Sequence, residues 1–189
     1  MPNDLSGGIE DRENTVSQAD DDPVLIVEHD PEWARRYEEE RARIIAALVG
    51  LITGIEHVGS TAVPGLGGKP VIDIMVGVAR FEDGERCVAP LEGLGYEYRG
   101  EAGIPGRLFF RRGLPRTHQV HLVEQGSDFW EDQLLFRDFL RAHTETAEEY
   151  YNLKKELAAR FRTDREVYAD AKTPFIRTVL ERARAAQAR

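Results

Sequence analysis

The 189-residue chain is poor in sulfur: it has one cysteine, Cys87, and two methionines. A single thiol excludes an internal disulfide and a cysteine-built zinc cage, which leaves Cys87 as a small apolar core residue. Long apolar runs are also missing. None approaches the ~18 residues needed to cross a bilayer, so no membrane span is expected. The N-terminal stretch is acidic rather than basic and then apolar, so no secretory signal is expected and the cytoplasm is the default location. Positive charge is scarce, with 25 Lys and Arg against 34 Asp and Glu and a formal net charge of −9. Affinity for duplex nucleic acid rests on cations that neutralise phosphates, so this balance argues against broad nucleic-acid binding. A small phosphorylated ligand in a local basic pocket remains compatible.

A chain of this length supports one good core. Residues 1–23 carry many Asp, Glu, Asn, Ser and Gly and few large apolar groups, which predicts a disordered acidic tail. Residues 24–189 are then expected to form a single domain. Residues 24–28 suit a short strand or an extended lead-in. Asp30-Pro31 suits a helix start, followed by Trp33, Tyr37, Ile44 and Leu48 at helical spacing. Strands are expected at 55–58, 71–78, 96–99, 107–112 and 118–124, and a helix capped by Asp83 over 85–94. Short Gly- and Pro-bearing loops join the last three strands, which predicts antiparallel neighbours. From Ser127 onward the pattern is helical. Ser127 and Thr144 are read as caps, Thr163 to Glu166 as a capping box, and Thr173-Pro174 as the start of the last helix.

The stretch from Ile55 to Val78 concentrates the chemistry. Gly59-Ser60 follows a strand, where glycine allows a sharp turn that aims backbone N–H groups at an anion and Ser60 adds a hydroxyl. Ser60 capping a following turn is the structural alternative. Gly65, Gly67, Gly68 and Lys69 do not make a P-loop, because Pro70 stands where that motif needs Ser or Thr at a helix start. Asp73 shares one strand face with Val71 and Met75, while Ile72, Ile74 and Val76 point the other way. A carboxylate emerging from an apolar strand needs a partner, either a metal with phosphates or a plain salt bridge to arginine. His121 lies on the face of Gln119 and Val123 and is a candidate ligand or base; His57 and His118 read as structural. Lys69, Arg111, Arg112, Lys154 and Lys172 are the cations considered for phosphate, Lys69 first because it lies between Ser60 and Asp73. Glu148-Glu149 with Lys154-Lys155 reads as ordinary helix-surface charge.

Four segments in order resemble the GrpB family: E-H-V-G-S-T-A-V-P-G-L-G-G-K-P-V-I-D-I-M-V, T-H-Q-V-H-L-V-E, L-L-F-R-D-F-L-R-A-H and A-K-T-P-F-I. The resemblance spans about Val24 to Arg182 and implies an α+β fold, a nucleotidyltransferase-like mixed β-sheet with flanking helices and a helical C-terminal half. In that superfamily a strand ending in Gly-Ser precedes an acid-x-acid pair, with a third carboxylate on a later strand, and two Mg²⁺ ions bridge the acids and a triphosphate. Gly59, Ser60 and Asp73 match. Met75 occupies the second acid's place, and a thioether is a poor ligand for a hard cation.

His121 or Glu124 is the replacement that this pattern suggests, with imidazole favouring Mn²⁺ over Mg²⁺. The expected function is transfer of a nucleotidyl group from a nucleoside triphosphate to a small-molecule acceptor with a divalent metal. Gly59, Ser60, Lys69, Arg111 and Lys172 would bind phosphate, and Asp73 with His121 would form the metal or acid–base centre. The alternative, favoured by Met75, is a catalytically silent nucleotide-binding accessory domain. GrpB-like domains fused to dephospho-coenzyme A kinases imply a functional link to that enzyme.

Overall fold

The computed structural model describes residues 23–187, so the acidic stretch read as a tail lies outside the described residues, apart from Pro23. Val24 to Glu28 is an extended lead-in tied to the domain by a bridge between Val27 and Gly68. Helix α1 (Glu32–Ala47) follows. Its first turn is closed by Asp30, whose Oδ1 accepts from the Glu32 amide at 2.9 Å. Pro31 fits there because a helix start needs no N–H from that residue.

Five strands make one mixed sheet: β1 (Gly54–Val58), β2 (Ile72–Val78), β3 (Glu97–Tyr98), β4 (Arg107–Arg112) and β5 (His118–Glu124), in spatial order β1-β2-β5-β4-β3. The β2–β5 pair is parallel, and the other pairs are antiparallel, including the β3-β4-β5 meander expected from short loops. Parallel pairing demands a crossover, and the segment between β2 and β5 supplies it. There the structure departs from the expected helix over 85–94. A 3₁₀ segment (Phe81–Cys87) precedes a short helix α2 (Val88–Gly93). Pro90 has no N–H to give a carbonyl one turn back, so an α-helix can only begin just before it. Asp83 is engaged with Arg80 instead of capping.

Period-two alternation divides the sheet into two faces with different duties. Ile72, Ile74, Val76, Leu108, Phe110, Val120 and Leu122 point to one side and pack with Trp33, Tyr37, Ile44 and Leu48 of α1 and Leu91 of α2. The opposite face carries Asp73, Met75, Gln119 and His121. It is covered by the C-terminal helices α3 (Asp128–Ala142), α4 (Thr144–Arg160), α5 (Arg165–Ala171) and α6 (Thr173–Gln187). Ser127 caps α3 as read from the sequence. Thr144 is the first residue of α4 rather than its cap, and Asp164, not Thr163, caps α5 by accepting from Val167 N at 3.0 Å. Trp130 of α3 lies on Val58, Met75 and Val123, and Gly77 on β2 makes room for its ring, since a Cβ there would stand 3.0 Å from Cζ3. Among the described residues no helix is long and apolar enough to cross a membrane.

One buried charge cluster ties α1 to the sheet. Glu40, 3 % exposed, receives Arg112 Nη1 and Nη2 at 2.7 Å each and the Tyr96 hydroxyl at 3.0 Å. Burial pushes the Glu40 carboxyl up, but the Arg112 and Tyr96 contacts outweigh it and hold it below the usual carboxylate range. Its contribution to stability is therefore complete above the unfolded carboxylate value and lost as pH falls through the folded one. Glu40→Ala should cost about 3 kcal/mol by leaving the Arg112 charge without its partner, read as a lower urea midpoint. Glu40→Gln should in addition weaken the acid dependence of that midpoint.

Candidate functional site

Gly59 sits at φ 71° and ψ −171°, a conformation that strains any residue with a Cβ. A Cβ there would also lie 2.6 Å from Asp73 Oδ2, so glycine is required twice. The chain then makes a 3₁₀ turn over Ser60–Ala62. Beneath it, His57 Nε2 lies 2.9 Å from Thr61 Oγ1 and the His57 ring stacks on Tyr37 at 4.4 Å. Burial lowers the His57 pKa to about 4, with Asp73 opposing, so His57 is a neutral support for the turn.

Asp73 opens into a cavity of about 300 Å³ lined on one wall by Gly59, Ser60, Gln119 and His121. The parallel register sets Asp73 beside Gln119 and Met75 beside His121. With its amide nitrogen toward the carboxylate, Gln119 donates to Asp73 Oδ1 at 2.8 Å and its oxygen accepts from Arg116 Nη1 at 2.9 Å. His121 Nε2 is 3.5 Å from the same Oδ1. Met75 is fully buried beneath Trp130 and offers nothing to the cavity.

The facing wall holds three lysines. Lys154 is 2 % exposed; its Nζ donates to Ser60 Oγ at 2.8 Å and to the Gly67 carbonyl. Lys69 and Lys172 approach the Tyr168 ring at 5.6 and 4.5 Å, and Lys154 lies 4.7 Å from the Tyr150 ring. Burial lowers the pKa of all three. Lys154 falls to about 7, helped by Lys172 and Lys69, and Lys172 to about 8, helped by Lys69 and opposed by Asp73. Three ammonium groups crowd a cavity whose inner carboxylate is Asp73, while Asp132 pairs with Arg184. Such a wall can attract a multiply charged anion electrostatically.

Of the residues read from the sequence, the cavity thus brings together Gly59, Ser60, Lys69, Asp73, His121 and Lys172. Arg111 is not among its lining residues: Arg111 Nε donates to Glu97 at 2.7 Å across the β3–β4 pair. Arg112 is committed to Glu40 on the opposite face. Glu124, offered as a substitute acid, accepts from the Phe81 amide at 3.1 Å and is likewise absent from the cavity. His118 is held by Arg112 and Thr117, and burial lowers its pKa to about 4.

Lys154 reverses the surface reading. Glu148, Glu149 and Lys155 are exposed, but Thr146, Tyr150, Lys154 and Ala158 recur every fourth residue and form the buried stripe of α4. That spacing was the available signal, since a lysine in register with an inward tyrosine shares its face. Arg137, not singled out from the sequence, lines the cavity while bonded to Glu56 at 2.7 Å and to the His57 carbonyl at 3.0 Å.

Comparison with known proteins converges on one family. Residues 23–182 match the family described as GrpB protein. A UPF0157 protein of Pseudomonas aeruginosa is 45% identical over 177 residues, 90% of this chain and 72% of that protein. The crystal structure of conserved protein GrpB from Enterococcus faecalis superposes with a TM-score of 0.79 at 34% identity, covering 87% of this chain and all of that one. A dephospho-CoA kinase of Mycolicibacterium paratuberculosis is 27% identical over 187 residues, 85% of this chain and 46% of the kinase. The α+β, nucleotidyltransferase-like class read from the sequence holds.

Gly59→Ala should destabilise the protein by about 1–3 kcal/mol, measured by urea denaturation, and displace the Asp73 carboxylate. Because the folded Lys154 and Lys172 values lie below those of unfolded lysine, the protein without ligand should gain stability as pH rises from about 7 toward about 10. An anion that recharges these lysines should bind with proton uptake, so inorganic triphosphate should bind more weakly at pH 8.5 than at pH 6.5. Calorimetry in buffers of different ionisation enthalpy checks the uptake, and Lys154→Met should diminish it.

Proposed function

The chain belongs to the GrpB family, and from the chemistry of its cavity we propose that it binds the phosphates of a nucleoside triphosphate and transfers the nucleotidyl group to a small-molecule acceptor. The observation that carries this reading is that one cavity is lined by Lys69, Lys154, Lys172 and Ser60 together with Asp73 and His121. The lysines act as point charges on the phosphate chain, and the Ser60 hydroxyl adds a hydrogen-bonding group. An acceptor hydroxyl would attack the α-phosphorus as its bond to the pyrophosphate oxygen breaks. The lysines would neutralise the departing pyrophosphate, and the hydroxyl proton would pass to the carboxylate side of the cavity.

A resident pair of metal ions does not fit the side chains present. Among the described residues no three His, Cys, Asp or Glu side chains come together as a metal site, and position 75 is a buried methionine. A Mg²⁺ or Mn²⁺ would instead enter as part of the metal–triphosphate substrate, with Asp73 as its protein oxygen ligand; such ions are commonly held by one or two carboxylates plus substrate phosphates.

Met75 favours a second reading, a nucleotide-binding accessory domain without turnover. The matching segment of dephospho-CoA kinases points that reading toward coenzyme A metabolism. Incubation with each α-phosphate-labelled nucleoside triphosphate, Mg²⁺ or Mn²⁺ and a metabolite extract separates the two. Transfer predicts label on an acceptor and a loss of about 100-fold in Asp73→Asn. Label transfer that survives that substitution unchanged overturns the assignment, and a thermal shift with nucleotides or coenzyme A precursors but no label transfer supports the accessory reading.

A further inference from the structure

Arg107 is a buried cation with an unusual set of partners. It starts β4 on the site face, is 7 % exposed, and among the described residues no carboxylate pairs with it. Its Nη2 donates to the Glu101 and Ala102 carbonyls at 3.0 Å each, and its guanidinium lies 4.9 Å from the Phe109 ring and 6.0 Å from Phe129. The loop bends to make these contacts: Ala102 takes φ 46°, the one positive φ among the described non-glycine residues. The remaining terminal nitrogen, Nη1, lies 3.5 Å from His121 Nδ1. The His121 ring is packed near the same two aromatics, at 5.3 Å from Phe109 and 5.9 Å from Phe129.

We propose that Arg107 is a positioning residue that fixes the tautomer of His121, making the imidazole an Nε2–H donor to Asp73 and leaving the carboxylate as the proton acceptor of the site. A guanidinium has donors only, so its contact with Nδ1 requires the lone pair there. The ring proton is then on Nε2, the atom 3.5 Å from Asp73 Oδ1. Oδ1 thus faces two donors, His121 and the Gln119 amide at 2.8 Å, while Oδ2 lies toward Gly59. In this arrangement the Nε2 lone pair is unavailable to a metal ion or an acceptor proton, which assigns both tasks to Asp73. The assignment of those tasks rests on the proposed nucleotidyl transfer; the tautomer does not.

Long-range ¹H–¹⁵N correlation of the histidine rings, recorded at about pH 8 where ordinary imidazoles are neutral, reads the tautomer directly. The His121 signals are identified by their loss in His121→Gln. The wild type should show one protonated Nε2 and one unprotonated Nδ1. Arg107→Met should replace this with averaged nitrogen shifts, and Arg107→Lys, which keeps a donor, should restore part of the single-tautomer pattern. Glu101→Ala, which removes the contact to the Gly106 amide in the same loop, should leave the His121 pattern unchanged. A protonated Nδ1 or an averaged pattern in the wild type overturns the proposal even if Arg107→Met does not fold, and so does a wild-type pattern in a folded Arg107→Met. Absence of nucleotidyl transfer would overturn the proposed reaction while leaving the tautomer result intact.

Discussion

Lys154 joins the two halves of the molecule. An ammonium group taken out of water is costly unless its donors are used, and this one reaches from α4 to Ser60 Oγ and the Gly67 carbonyl in the loop between β1 and β2. That contact holds the glycine-rich loop against the helical half and places the lysine beside Lys69 and Lys172. Burial lowers its pKa, and the neighbouring Lys172 and Lys69 lower it further, a repulsion that an anion in the cavity would relieve.

The sheet divides labour by parity. Even-numbered residues of β2 and β5 fill the core beneath α1, and odd-numbered ones face α3 to α6. Asp73 and Met75 share that second face, yet they meet different surroundings: Asp73 stands at the mouth of the loop, whereas Trp130 covers Met75. A carboxylate at position 75 would lie beneath an indole with no charged partner. Met75 and the seating of α3 on the sheet therefore go together.

Cations are sorted by geometry as well. The planar forks of Arg111, Arg112 and Arg137 are committed to Glu97, Glu40 and Glu56; Arg137 lines the cavity with its fork so engaged, and the other cations of the lining are lysines. Fork geometry suits fixed carboxylates, and a flexible point charge suits a phosphate chain that adopts its own shape. Arg107 is different again: its terminal nitrogens meet two carbonyls and one imidazole, and its buried Nε has no hydrogen-bond partner among the described residues.

The alternation of Ile72 to Val78, the glycine before Ser60 and the spacing of α1 are local properties, which is why strands, loop and first helix could be read from the chain. They were enough to bring forward Gly59, Ser60, Lys69, Asp73, His121 and Lys172, because each lies near a strand end, a glycine turn or a segment with a recognisable resemblance. Arg111 was misplaced because Glu97, its partner, is identified only by the β3–β4 register. Lys154 was misread because its neighbours in sequence are acidic and exposed, and burial at a helix face depends on what packs there. The amino-acid order by itself determined which face of β2 carries a lone carboxylate and that a methionine shares that face. Only the tertiary structure decided which cations share that carboxylate's cavity and which residues contact His121, since both depend on contacts between residues tens of positions apart or on different strands.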